Sequence, residues 1–269
     1  MKAPPLNELL DVARNAVAEA LIVLGSRGWM NAGLISAEGR DLKTEADLQS
    51  NEVLRKCLSP TRLTILSEED EVIRFNPTEH PSWIIDPLDG TVNFERGFPH
   101  AAVSVGLWRG KHPLLGVVGD LHSGTVWTGI VGDISKNPTS IPAAVSNVPT
   151  ADAGVLATGF PTGRDFSDHS LQNSVQFWRC FKKVRMIGSA AISLASVANG
   201  TFDAYCEEGI WWWDVAGAIP LILAGGGRVW MTPPDSELKT VVFASNGRIV
   251  PPVELLQNYE DLEEYQNTG

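Results

Sequence analysis

Trp83-Ile84-Ile85-Asp86-Pro87-Leu88-Asp89-Gly90-Thr91 sets a short apolar run against two carboxylates three residues apart. The run reads as a strand, Trp83 to Asp86, that ends on an acid. Pro87 fixes φ and removes a donor, so the chain turns there. Across that turn Asp86 and Asp89 can point at one small volume, and the Leu88 carbonyl can join them as a neutral oxygen. Gly90 lets the backbone approach closely. If a helix starts at Gly90-Thr91, its N–H groups face the same volume and favour an anion. Oxygen donors alone suit a hard cation, Mg²⁺ rather than Zn²⁺. Read locally, Asp86 to Thr91 also serves as a polar turn with a helix cap.

Working outward, Leu63 to Leu66 reads as a short strand delivering Ser67-Glu68-Glu69. Glu68 is then either a further cation ligand or part of a solvated charge run, Glu68 to Glu71. Thr44-Glu45-Ala46-Asp47 has the spacing of a helix capping box. Far downstream, Trp213-Asp214-Val215-Ala216-Gly217 places Asp214 at the start of an apolar helix, as a ligand or as an N-cap. The preceding Trp211-Trp212-Trp213 cannot all face one core, so either one indole lines a cleft or interface, or two of them simply pack.

The chain has 269 residues and a formal net charge of -11. That charge argues against nucleic acid or an anionic membrane as the main partner. An acidic protein can still bind a phosphate if bound divalent cations reverse the local potential. Cys57, Cys180 and Cys206 are widely spaced, which predicts free thiols rather than a disulfide framework or a zinc ribbon. His80, His100, His112, His122 and His169 lack ligand spacing and read as structural or surface residues. Neither a signal peptide nor a membrane span is expected, since the longest apolar stretch, Val215 to Gly227, is broken by Pro220. The expected address is the cytoplasm.

Helical spacing over Leu6 to Leu24 predicts a long opening helix. β signals run from Ala101 to Trp108, Leu114 to Gly119 and Gly124 to Val131. The stretch Gly132 to Pro149 is rich in Pro, Ser, Asn and Thr and reads as a boundary. We therefore expect an N-terminal half over residues 1–140, carrying the first acidic motif, and a C-terminal half over 141–269, carrying Asp214. The second half alternates strands at Val155 to Thr158, Lys183 to Met186 and Ala204 to Cys206 with helices near Ser170 to Trp178 and Ser189 to Val197. Strands near Arg228 to Trp230 and Val241 to Ala244 follow, and the acidic tail after Pro251 reads as partly helical. This is an α/β architecture, an α+β layered sandwich with alternating helix and sheet layers.

Taken together, these residues resemble the inositol monophosphatase family, part of the lithium-sensitive phosphatase superfamily that includes fructose-1,6-bisphosphatase. Trp83 to Phe94 matches one family motif, and Trp213 to Ala218 with Ala224-Gly225-Gly226 matches the other. The likeness extends through Phe98-Pro99, Ala102 to Gly106, Gly188 to Ala191 and Asp203 to Gly209. The resemblance implies a Mg²⁺-dependent phosphomonoesterase with two or three ions. Glu68, Asp86 and the Leu88 carbonyl would hold one ion; Asp86, Asp89 and Asp214 a second; a third would share Glu68. Thr91, paired with Asp47, would orient and help activate the attacking water on the first metal, with Glu68 as part of the same machinery. Gly90 and Thr91 N–H groups would contact the phosphate, and Gly188, Ser189, Ala190 and Glu207 the alcohol. It further implies a homodimer inhibited by Li⁺.

The chain departs from the family pattern at several points. Ser67 stands where the family has Gly, and Ser36 and Ala37 fill a region that often carries Lys, with Arg40 and Lys43 as stand-ins. Leu223 replaces an acidic residue, Pro220 is placed to kink its helix, and the family's hairpin after Trp127 is missing. The expected substrate is inositol monophosphate or a similar small polyol phosphate. Alternatives are a 3'(2'),5'-bisphosphate nucleotidase, for which the tryptophan run could stack an adenine, and a histidinol or sugar phosphate phosphatase. A different class is a non-catalytic binding module on the same fold.

Overall fold

The computed structural model describes residues 4–28, 30, 33–38, 41–70, 80–132, 144–160, 165–252, 259 and 261–267. The chain runs α1 (Leu6–Arg27), β1 (Leu34–Glu38), β2 (Asp41–Thr44), α2 (Glu45–Leu58), β3 (Thr64–Ser67), β4 (Pro81–Asp89), α3 (Thr91–Arg96), β5 (Ala102–Arg109), β6 (His112–Asp120) and β7 (Val126–Ile130). It continues through β8 (Val155–Thr158), α4 (Asp168–Trp178), β9 (Lys183–Arg185), α5 (Ala190–Ala198), β10 (Ala204–Trp211), α6 (Trp212–Ala216), α7 (Ile219–Ala224), β11 (Arg228–Met231), β12 (Lys239–Ser245) and β13 (Glu263–Gln266).

Two sheets stack with helices between and outside them. The first has strand order β3-β4-β5-β6-β7, the second β13-β11-β12-β10-β8-β9, and β1 pairs with β2 in a separate ribbon. Strand alternation divides the first sheet between two cores. Trp83, Ile85, Val103, Val105, Leu107, Leu115 and Val117 face the apolar stripe of α1 (Leu9, Leu10, Ala13, Val17, Leu24) and Leu54 and Leu58 of α2. Ile84, Ala102, Trp108 and Val118 face α5, α6 and α7, which also cover Tyr205, Val229 and Val242 of the second sheet. The outer face of the second sheet, with Leu156, Cys206, Trp230 and Phe243, packs against Phe177, Trp178 and Phe181 in and just after α4. The result is the layered helix–sheet sandwich expected from the sequence.

A stripe of glycine sets how close the middle layer comes. Gly106, Gly116 and Gly129 are register partners across β5, β6 and β7. A Cβ at Gly106 would lie 2.4 Å from the Ala216 carbonyl oxygen, at Gly116 2.0 Å from that of Gly217, and at Gly129 2.8 Å from the Leu221 Cα. The backbones of α6 and α7 therefore rest directly on the sheet. The Trp108 indole N–H donates to the Ala216 carbonyl at 2.9 Å and fixes their height.

Several local expectations change. β4 does not stop at Asp86 but runs on to Asp89. β10 reaches Trp211, well past Cys206. Trp211 is the N-cap of α6, so Asp214 is its third residue rather than its cap. The apolar helix is broken at Gly217-Ala218, and Pro220 sits in the first turn of a new helix, where its missing N–H costs nothing, instead of kinking a long one. The described end of the tail is a strand, β13, paired with β11. Part of that tail (253–258), Arg40, Glu71 and much of the boundary stretch (133–143) lie outside the described residues. Among the described residues no helix is long and apolar enough to cross a membrane.

Candidate active site

The site begins with a bulge. Asp86 pairs with Ser104 and Asp89 with Ala102, so three steps on β4 oppose two on β5. Two residues three apart on a regular strand face opposite ways. The extra residue restores parity and turns both carboxylates toward the middle layer. Pro87 fits here because a bulged residue owes the ladder no donor. The Ser50 hydroxyl of α2 donates to the Pro87 carbonyl at 2.7 Å, and the Leu88 N–H donates to Asp86 Oδ1 at 3.0 Å. Gly90 follows with φ +84°, where a Cβ would lie 2.7 Å from the His100 carbonyl oxygen, so no other residue fits.

Each remaining acid arrives on its own element. The Glu68 N–H donates to the Ile85 carbonyl at 3.2 Å, extending the parallel β3–β4 ladder. The Ser67 hydroxyl donates to Asn51 Oδ1 at 2.9 Å, and the Ser67 N–H to Asp70 Oδ2 at 3.0 Å. Arg55 pairs with Asp70, and the Lys43 ammonium sits 2.6 Å from Glu69 Oε2. This acidic stretch is thus a braced turn, not a solvated run. Asp47 is 2 % exposed on the first turn of α2. It completes the capping box, with the Thr44 N–H donating to Oδ2 at 2.8 Å and the Thr44 hydroxyl to the same oxygen. The Thr91 hydroxyl lies 3.1 Å from Asp47 Oδ1 and 3.0 Å from the Leu88 carbonyl oxygen, and shares its proton between them.

Asp89 is held by α5. The Ala190 N–H donates to Oδ1 at 3.3 Å and the Ala191 N–H to Oδ2 at 2.9 Å. The Ser189 hydroxyl donates to Oδ2 while accepting from the Ile192 N–H at 3.2 Å. Two of the four residues expected to meet the alcohol, Ser189 and Ala190, therefore grip Asp89 in this structure. Glu207 is 7 % exposed on β10, and a Cβ at Gly159 would lie 2.7 Å from its Oε1. Asn93 ties the first sheet's turn to the α5 loop, donating to the carbonyls of His100 at 2.8 Å, Ile187 at 2.7 Å and Gly188 at 3.1 Å.

These acids also raise one another's pKa. Burial pushes the Asp86 carboxyl well above its ordinary range, and Glu68, Asp89 and Asp214 push it further. Burial likewise raises Asp214, with Glu68, Asp89 and Glu207 adding to it and the Trp211 backbone opposing. Asp89 rises to about 6 through burial, restrained by Ser189 and the α5 N–H groups. Asp47 also rises to about 6, burial outweighing its bonds to Thr44 and Thr91. Mutual repulsion of this kind is what a divalent cation relieves, and the donors are all hard oxygens. The residues present thus fit such an ion. Among the described residues no three His, Cys, Asp or Glu side chains already enclose one point. In this structure Asp86 and Asp89 are turned onto backbone N–H groups instead.

The shifts carry a sign. Asp47 and Asp89 ionise near 6 when folded and near 3.8 when not. At these two groups the folded chain holds more protons between these values, so their contribution to stability is greatest below about pH 4 and is lost as pH rises to about 6. In urea titrations with EDTA we expect these groups to cost the protein on the order of 1–3 kcal/mol each across that window. A flat or opposite contribution, isolated with Asp47→Asn, would contradict the assignment.

Local pattern passed over two groups. Tyr205 is fully buried, and its hydroxyl has no hydrogen-bond partner among the described residues. Burial raises its pKa, and the charges of Glu207, Asp214 and Asp89 add to that. Only its separation of two from Glu207 on one strand face hints at this. The bridging role of Asn93 has no local signal at all.

The sequence matches the inositol monophosphatase family over residues 6–264. An inositol-1-monophosphatase of Synechocystis is 32% identical over 258 residues, covering 91% of this chain and 86% of that protein. Inositol-1-monophosphatase SuhB of Mycobacterium tuberculosis is 30% identical over 276 residues, 95% of each chain. Among solved structures, an inositol monophosphatase from Anabaena superposes with a TM-score of 0.74 at 29% identity, covering 90% of this chain and 92% of that one.

Proposed function

The chain belongs to the inositol monophosphatase family and is a phosphatase of that family, and from that premise we propose a Mg²⁺-dependent phosphomonoesterase acting on inositol monophosphate or a similar small polyol phosphate. The observation that supports this reading is the mutual repulsion among Glu68 after β3, Asp86 and Asp89 on β4, and Asp214 on α6. Glu68, Asp86 and the Leu88 carbonyl would hold one ion, and Asp86, Asp89 and Asp214 another. Bound there, divalent cations would cancel phosphate charge and acidify a water.

The chain's own residues would do the rest. The Thr91 hydroxyl donates toward Asp47, which leaves its oxygen to accept from a water. With its carboxyl near 6, Asp47 is a competent proton acceptor at neutral pH. Gly90 and Thr91 N–H groups would contact the phosphate, and Gly188, Ser189, Ala190 and Glu207 would line the alcohol side, Glu207 accepting from a hydroxyl. The expected homodimer, Li⁺ inhibition and cytoplasmic address belong to the same reading.

The tryptophan run offers no support for an adenine subsite. Trp211 stacks on Trp213, with centroids 4.9 Å apart and planes 8° apart. The Lys239 ammonium sits 4.8 Å from the Trp211 ring centre. That indole is thus already engaged by a ring and a cation, and Trp212 packs edge-on against Trp108 in the core. We expect inorganic phosphate release from inositol monophosphate with Mg²⁺, none with EDTA, and little from phosphoadenosine phosphate, histidinol phosphate or sugar bisphosphates. Absence of release from every ester would sink the phosphatase reading and favour the binding module.

A further inference from the structure

Lys43 lies at the rim of this acidic volume and has no part in the chemistry described so far. It is the β2 residue just before Thr44, whose N–H and hydroxyl both bind Asp47. Its ammonium stands 2.6 Å from Glu69 Oε2. The Glu69 side chain is only 5% exposed, whereas that of Lys43 is 38% exposed. One end of the pair is therefore anchored in protein and the other is partly open to solvent. Glu69 follows Glu68 in the chain, and Lys43 precedes the Thr44 that binds Asp47, so the tether keeps a positive charge close to both acids. The fields of both carboxylates act on that ammonium, after the stronger pull of Glu69. An ammonium carries three donors, and Glu69 takes one.

We propose that Lys43 is a resident cation of the site: tethered by Glu69, it offsets carboxylate charge beside Glu68, weakens divalent-cation binding there, and gives the substrate phosphate a fixed positive contact. The first two effects need only the acidic cluster. The third rests on the phosphatase reading. The purely structural alternative makes the opposite prediction. If Lys43 merely braced the Ser67–Asp70 turn, its loss would loosen Glu68 and weaken cation binding.

The test uses the full chain with Lys43→Met and Lys43→Arg, and Mn²⁺ as the probe, counting free ion by electron paramagnetic resonance. Lys43→Met should bind Mn²⁺ about five-fold more tightly at low ionic strength, and the gain should shrink as salt screens it. Lys43→Arg should match the wild type, since it keeps the charge. With a phosphate ester, Lys43→Met should raise KM about five-fold with kcat little changed, the mark of a lost contact made equally in ground and transition states. Unchanged or weaker Mn²⁺ binding in Lys43→Met overturns the proposal. A Mn²⁺ gain in a protein that hydrolyses no ester would uphold the charge-offset role and defeat the phosphatase reading alone.

Discussion

Asp86→Asn and Asp214→Asn are each expected to lower kcat/KM by roughly 10³-fold or more, the scale of losing transition-state charge stabilisation, while the cation-free protein melts higher than the wild type. The two effects share one cause. Asp86 is 1 % exposed and its carboxyl is pushed up by burial and by three neighbouring acids. Asp214 is pushed up by burial and by Glu68, Asp89 and Glu207. A folded pKa above the ordinary 3.8 means that the ionised form is penalised at neutral pH. An amide of the same shape removes that penalty and removes the anionic ligand with it. Mg²⁺ should then raise the melting temperature of the wild type strongly and of either variant weakly. Phosphate release and thermal melts with EDTA or Mg²⁺ read both arms. Near-normal Mg²⁺-dependent hydrolysis in both variants would refute the site.

Gly116→Ala is expected to cost about 3–5 kcal/mol of stability, at the upper end for overpacking. The new methyl carbon would lie 2.0 Å from the Gly217 carbonyl oxygen and 3.0 Å from Pro220 Cγ. The first obstacle is backbone, so a rotamer change cannot relieve it, and α6 and α7 must lift off the sheet. Asp214 rides on α6, so activity per folded molecule should fall as well. Gly25→Ala in α1 is the control: among the described residues nothing lies within 4 Å of its added carbon. That change should be neutral or stabilising by about 0.5–1 kcal/mol, the gain in helix propensity. Equal stability of Gly116→Ala and the wild type would mean that the close approach of sheet and helices is not what fixes the middle layer.

Much of the architecture was legible because it obeys local rules. The capping box at Thr44 to Asp47, the strand at Val155 to Thr158 and the helix opening the chain all follow from pattern. The layered class follows from the alternation of such elements. What escaped the sequence is set by packing between distant segments. Parity at Pro87-Leu88 depends on how β5 pairs with β4. The break between α6 and α7 answers to the glycine stripe beneath them. The grip of α5 on Asp89 joins residues a hundred positions apart. Local reading could nominate Asp86, Asp89 and Asp214 as acids near turns. Roles for Thr91, Asp47 and Glu207 came only through the family resemblance, because pairs such as Thr91 and Asp47 are linked by tertiary contact alone.

The odd residue between Asp86 and Asp89 also matters for the main chain. Removing one position there would leave two steps opposite two, a regular ladder with both carboxylates still on the same face. What would be lost is the kink that frees two carbonyls from the sheet, that of Pro87 for the Ser50 hydroxyl and that of Leu88 for the Thr91 hydroxyl. A shortened segment should therefore keep its acids aligned and lose its neutral oxygens.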